Sequence, residues 1–188
     1  MNKILVVVDM QNDFIDGALG TPEAQAIVPK VVEKIESWDG SIVTTQDFHT
    51  ENYLSTQEGK RLPIVHCRYD TDGHQLHPSV KEVVHPKIEM GGMYFKEGFG
   101  SDDLAKDLSD TIRHGEPLGF KIDEIHLCGL CTDICVLANA ITIKTFCPEA
   151  RIVVDASCCA GTTPEAHEIA LKAMRQCQID IENWELKT

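Results

Sequence analysis

His126-Leu127-Cys128-Gly129-Leu130-Cys131-Thr132-Asp133-Ile134-Cys135-Val136-Leu137-Ala138-Asn139-Ala140 is the stretch on which the reading of this chain turns. An apolar run, Ile125 to Cys128, meets Gly129 and gives way to helical spacing. Val136, Ala140, Ile143 and Lys144 recur on successive turns, and Thr132 or Asp133 suits the N-cap. The pattern predicts a strand, a tight turn and a helix, with Cys135 in the first helical turn. Backbone N–H groups without intrahelical partners and the positive end of the helix dipole favour thiolate over thiol there. Cys135 is therefore a candidate nucleophile. On this stretch alone, one more buried structural cysteine is an equally open reading.

Working outward, Lys3 to Val8 is a short continuous apolar strand of the kind buried on both faces of a parallel sheet. A polar, turn-rich segment from Asp9 to Phe14 follows, with Gly17 and Gly20 keeping the chain in a loop. The next helix ends near Trp38, with Ile27, Val28, Val31, Val32 and Ile35 on one face and Pro29 marking its first full turn. Ser41 to Thr45 reads as a second strand. Residues 50 to 87 have weak periodicity and four histidines, which predicts a long irregular excursion. A third strand is expected over Lys87 to Phe95 and a short helix over Asp102 to Leu108, opened by Ser101, with residues 111 to 122 as a connection. Glu124 to Cys128 and Arg151 to Val154 supply strands four and five, and Asp155 to Gly161 reads as a loop. Thr163-Pro164-Glu165 begins a last helix, and a strand near Gln178 to Ile181 closes the pattern. Strands alternating with helices predict a single α/β domain over residues 1–188, with a doubly wound, mostly parallel sheet of about six strands and helices on both faces.

The composition fits that picture. The chain has 188 residues, 43% of them hydrophobic and 25% charged, as in an ordinary globular protein. A formal charge of −13 argues against a nucleic-acid partner or an anionic membrane surface. The apolar run Ile4 to Val8 is too short for a signal segment, and no run approaches a membrane span. The expectation is a cytoplasmic protein whose eight cysteines are reduced.

In open parallel sheets, ligands bind beyond the carboxyl ends of the strands. Asp9 ends strand one, Asp47 and His49 end strand two, Lys96 follows strand three and Cys135 follows strand four. Singly, each has an ordinary reading as a loop cap or solvated charge. Their shared end of the sheet makes them a candidate site.

With these residues in place, the sequence resembles the isochorismatase-like cysteine hydrolases, and most closely their nicotinamidase-like branch. The matching motifs are Val8-Asp9-Met10-Gln11-Asn12-Asp13-Phe14, Asp47-Phe48-His49, Val65-His66-Cys67, Lys96-Glu97-Gly98-Phe99-Gly100-Ser101 and Gly129-Leu130-Cys131-Thr132-Asp133-Ile134-Cys135-Val136. They come in the family's order. The resemblance implies a catalytic triad of Asp9, Lys96 and Cys135, with Lys87 a competitor for the lysine. It implies a cis peptide bond before Cys131 and an oxyanion hole from the backbone N–H groups of Cys131 and Cys135. A metal site of Asp47, His49 and His66 is also implied, suited to Zn, Fe or Mn. The expected activity is hydrolysis of a small carboxamide to acid and ammonia through a thioester, with nicotinamide the leading substrate. The expected partner is thus a small-molecule amide, and a homo-oligomer is open.

This chain departs from the pattern at one wall of the pocket. Nicotinamidases usually carry Trp-Pro just before the matching His-Cys, whereas here the segment is Leu62-Pro63-Ile64-Val65-His66-Cys67. Phe14 remains as a ring wall, and Leu62 with Ile64 predicts a more aliphatic pocket. Other readings stay open: an isochorismatase-like vinyl-ether hydrolase, an N-carbamoyl hydrolase, a silent binding module, or a non-catalytic protein binding metal or an iron–sulfur cluster through Cys128, Cys131 and Cys135. No dinucleotide, Walker, GxSxG or HExxH motif is present.

Overall fold

The first strand, β1 (Lys3–Val8), runs through the middle of the molecule, with Leu5 to Val8 fully buried. Side chains alternate across a strand. Ile4, Val6 and Val8 therefore enter one core, and Leu5 and Val7 enter a second. A strand covered on both faces needs apolar residues at every position, which accounts for the unbroken run.

The computed structural model describes residues 2–115 and 122–185. After β1 come a single-turn helix α1 (Asn12–Ile15), α2 (Pro22–Ser37), β2 (Ser41–Asp47), α3 (Gln57–Arg61), α4 (Pro78–Val84), β3 (Ile88–Lys96) and α5 (Asp102–His114). Then follow β4 (Glu124–Leu130), a π-helical turn (Thr132–Val136), α6 (Leu137–Phe146), β5 (Arg151–Ala160), α7 (Pro164–Gln176) and β6 (Asp180–Glu182). The strands form one sheet in the order β3-β2-β1-β4-β5-β6, and every neighbouring pair is parallel. Val31 and Ile35 of α2 and Val80 and Val84 of α4 cover one face. Leu104 of α5, Ala140 of α6 and Leu171 of α7 cover the other. This is the doubly wound α/β architecture expected from the sequence. The strand order reverses at the β1–β4 pair, which opens a crevice at their carboxyl ends.

Side-chain caps open α2, α5 and α7, the last two as read from the sequence. Thr21 accepts from the Ala24 N–H, Ser101 from Leu104 and Thr163 from Ala166, each a contact worth about 1 kcal/mol. Several element boundaries are corrected. Helix α2 begins at Pro22, not Pro29; Thr21 caps it, Pro22 occupies the first turn, and its buried stripe carries it through Pro29. Helix α5 continues to His114, because Ile112 still packs against the core. The remainder of that expected connection, 116–121, lies outside the described residues. The excursion after β2 holds α3, α4 and three 3-10 turns. Strand β5 runs on to Ala160 where a loop was expected. Leu127 pairs with Val154 but Gly129 with Cys159, so β5 bulges over its polar residues and resumes pairing. Among the described residues, no helix is long and apolar enough to cross a membrane.

Candidate active site

Beyond the carboxyl end of β1, Asp9 sits in the left-handed region at φ 47° and is fully buried. Such a backbone costs about 1–3 kcal/mol for a non-glycine residue and persists only where the surroundings enforce it. Here Thr45 Oγ1 donates to Asp9 Oδ1 at 2.7 Å, and the Asp9 N–H donates to the Thr45 carbonyl. Lys96, the last residue of β3, brings its Nζ to 2.6 Å from Asp9 Oδ2 and 3.3 Å from Asp47 Oδ1. The same ammonium donates to Cys135 Sγ at 3.5 Å. Asp9, Lys96 and Cys135 are thus brought together. Lys87 is elsewhere, donating to the carbonyls of Ile35 and Glu36 at the end of α2.

The local sequence explains the approach of β4 to β1. Gly129 has φ 121°, and a Cβ there would lie 2.1 Å from the Val8 carbonyl oxygen. Only glycine permits that contact beside Asp9. Cys135 itself lies in the π-helical turn ahead of α6 rather than in the first turn of an α-helix. Neither Thr132 nor Asp133 caps a helix. Thr132 Oγ1 is 2.8 Å from His167 Nδ1, and Asp133 accepts from the N–H and hydroxyl of Thr162. Three bonds from Thr162 and His167, at the start of α7, therefore hold the turn. Asn139 holds it from the other side, donating to the Cys135 carbonyl and accepting from the Ser101 N–H. The Leu130–Cys131 peptide bond is cis.

The electrostatics correct the expected resting thiolate. Burial, and then the charge of Asp9, push the Cys135 thiol well above its ordinary pKa, and Lys96 only partly offsets them. One ammonium faces two carboxylates, Asp9 and Asp47, so the cluster disfavours a third negative charge. Burial also raises the Asp9 carboxyl, against the pull of Lys96. Burial opposes the charge on Lys96, but Asp9, Cys135 and Asp47 together hold its pKa above the usual value. This arrangement keeps a cation fixed, a proton on sulfur and a proton acceptor nearby.

Asp47, at the end of β2, is the bridge to a second cluster. Its Oδ2 is 2.9 Å from His49 Nε2 and 3.5 Å from His66 Nε2. One donor atom from each of the three residues lies within 4.8 Å of the others, and all three residues are buried. His66 Nδ1 is turned to the Ile64 carbonyl at 2.8 Å, so its Nε2 faces inward beside His49 Nε2 and the Asp47 carboxylate. The spacing suits neighbouring ligands of an ion with bonds of about 2.0–2.2 Å, and the donor set suits zinc, iron or manganese. Burial opposes the charge on Asp47, yet hydrogen bonds from His49 and His66 bring its pKa below the ordinary range. The residues fit a divalent metal.

Cys135, Cys131, Asp47 and His66 open onto a cavity of about 650 Å³ that Phe14 and Leu62 also line. Ile64 does not: its side chain is 41% exposed and only its carbonyl serves the site, by orienting His66. Cys128 is fully buried in one core while Cys135 belongs to the other, so these two thiols do not form a shared metal site. A sequence profile described as the isochorismatase domain matches residues 3–185. The chain belongs to the isochorismatase family.

Within that family, the chain is 28% identical over 192 residues to a nicotinamidase/pyrazinamidase of Mycobacterium tuberculosis, covering 95% of this chain and 97% of the relative. It is similar in structure to a Pyrococcus horikoshii pyrazinamidase solved in complex with zinc, at 28% identity and a TM-score of 0.74, with 98% and 100% of the two chains covered. A Bacillus subtilis nicotinamidase/pyrazinamidase superposes at 26% identity and TM-score 0.77, covering 96% and 99%. Two residues of this family member escaped the sequence reading. Glu58 of α3 places Oε1 at 3.8 Å from His49 Nε2 and 3.9 Å from His66 Nε2. Gln11 donates to the carbonyls of Asp47 and His74 and accepts from the Asp47 N–H, fixing the strand end that carries Asp47. Gln11 lies inside a quoted motif, whereas no local pattern marks Glu58.

Proposed function

We propose that this chain is a cysteine amidohydrolase that converts nicotinamide to nicotinate and ammonia. The observation carrying the proposal is the contiguity of Cys135, Lys96 and Asp9, with Lys96 Nζ 3.5 Å from the sulfur and 2.6 Å from the Asp9 carboxylate. Asp9, whose proton affinity is raised by burial, takes the Cys135 proton as the sulfur attacks the amide carbonyl. The carbonyl oxygen becomes anionic and accepts from the backbone N–H groups of Cys131 and Cys135. Collapse breaks the C–N bond, and Asp9 returns its proton to the departing ammonia. Asp9 then accepts a proton from water as the water attacks the thioester; nicotinate forms and the thiol is restored. Lys96 remains an ammonium throughout and holds Asp9 and the sulfur together.

Asp47, His49 and His66 would hold a divalent ion, with Glu58 near enough to complete the set. Such an ion supplies an open position for a ring nitrogen or a water. Phe14 forms one wall for the ring and Leu62 another.

The test is an ammonia-release assay with nicotinamide, pyrazinamide, N-carbamoyl compounds and aliphatic amides, with isochorismate assayed separately. Nicotinamide should be hydrolysed by the wild type and not by Cys135→Ala. Lys96→Met and Asp9→Asn should each lower kcat by a factor of about 10² or more. Ammonia release unchanged in Cys135→Ala would remove the mechanism.

A further inference from the structure

The cavity is larger than this substrate needs. Nicotinamide has nine non-hydrogen atoms; even at water's liquid share of about 30 Å³ apiece they fill under half of 650 Å³. The lining reaches from Asp47 at the end of β2 to Gly161 and Thr162 just past β5, with Ala24 of α2 and Gln57, Glu58 and Arg61 of α3 closing it over. With neighbouring strands about 4.8 Å apart, that span is about 14 Å. The cavity surface is mostly apolar, with Leu19, Ala24, Leu62, Phe99 and Ile134 lining it beside the polar Thr21, Gln57, Arg61 and Thr162, and Phe99 is 52% exposed. An exposed aromatic ring facing a cavity is a surface that a ligand can cover at a gain.

We propose that the preferred substrate is a carboxamide whose acyl group extends beyond a single aromatic ring by an apolar substituent, seated against Leu19, Ala24, Leu62, Phe99 and Ile134. The proposal rests on the amidase reading of Cys135 and narrows its substrate class. Extension of the ring leaves the amide chemistry unchanged, and contact with these side chains adds to binding in the transition state.

The experiment compares kcat/KM for ammonia release from nicotinamide and from nicotinamides carrying methyl, propyl or phenyl at ring carbon 5 or 6. In the wild type, at least one of the two series should rise by about fourfold for each methylene that is buried. Leu62→Trp should reverse the ranking, with the propyl compound falling at least about tenfold relative to nicotinamide, as overfilling a packed site does. Nicotinamide outperforming every extended amide in the wild type would overturn the proposal and leave the amidase reading standing. So would a ranking that Leu62→Trp leaves unmoved. Ammonia released from none of the compounds would overturn the amidase reading, and this proposal with it.

Discussion

At the scale of single residues, Cys131 and Cys135 separate side-chain from backbone roles. Burial pushes the Cys131 thiol up to about 12, so it is protonated at neutral pH and contributes no nucleophile. Its proposed contribution is an N–H group. Cys131→Ala should therefore keep kcat within about threefold of wild type, whereas losing an oxyanion donor outright costs about 10²–10³. Steady-state ammonia release distinguishes these outcomes; a collapse of activity in Cys131→Ala would mean that the thiol itself is used. Glu58 offers a second residue-scale test. Its carboxylate faces both histidine nitrogens of the metal cluster, so Glu58→Gln should weaken zinc binding by about 10–100-fold, by analogy with groups that support metal ligands. Competition against a chromophoric chelator reads this without any turnover, and unchanged affinity would free Glu58 of that role. Asp9, Lys96, Cys135, Asp47, His49 and His66 were all legible in the sequence, because each sits in a short motif at a strand end. Glu58 was not, since its neighbours are joined to it only through the folded excursion after β2. Ile64 was misread: an apolar residue beside a site histidine projects to solvent while its carbonyl does the orienting.

At the scale of elements, the turn that carries Cys135 depends on α7. His167 meets Thr132, and Thr162 meets Asp133. Burial lowers the His167 pKa, so the ring is neutral at neutral pH and can share a hydrogen bond with the Thr132 hydroxyl. His167→Ala should lower kcat by about tenfold or more with KM little changed, since small displacements of a reacting group are costly. His167→Asn, which can place a polar atom near Nδ1, should recover much of the loss. If both variants lose stability and activity in parallel, the contact is structural only. The elements themselves were legible where one signal dominated: unbroken apolar runs for β1 and β4, and Ser/Thr caps for α5 and α7. The continuation of β5 was hidden by Asp155 and Ser157, polar residues that a bulge accommodates. The π-helical turn was hidden too, because its residues share the spacing of the helix that follows.

At the scale of the molecule, α2 is tied to the bulge of β5 by Lys34 Nζ and Asp155 Oδ2 at 2.6 Å. Burial opposes the charge on Asp155, but hydrogen bonds from Lys34, Asn183 and Ser157 lower its pKa from 3.8 to about 2. The folded state therefore binds this proton less readily than the unfolded chain. The resulting stability, about 2 kcal/mol, is present above about pH 4 and is lost as the pH falls through about 2. Asp155→Asn should remove about that amount at neutral pH and flatten the acid limb, as urea midpoints measured from about pH 7 to 3 would record. A variant as stable as wild type at neutral pH would show that Lys34 and Asp155 contribute nothing net.

The strand order has a further consequence. The carboxylate, the ammonium and the sulfur are delivered by β1, β3 and the turn after β4. Nothing local brings them within reach of one another, and pairings so distant along the chain form late and slowly. Turnover regained during refolding is accordingly a clock for the assembled sheet. It should lag the recovery of helical signal, and neither half of the chain, split in the excursion after β2, should hydrolyse an amide until its complement is added.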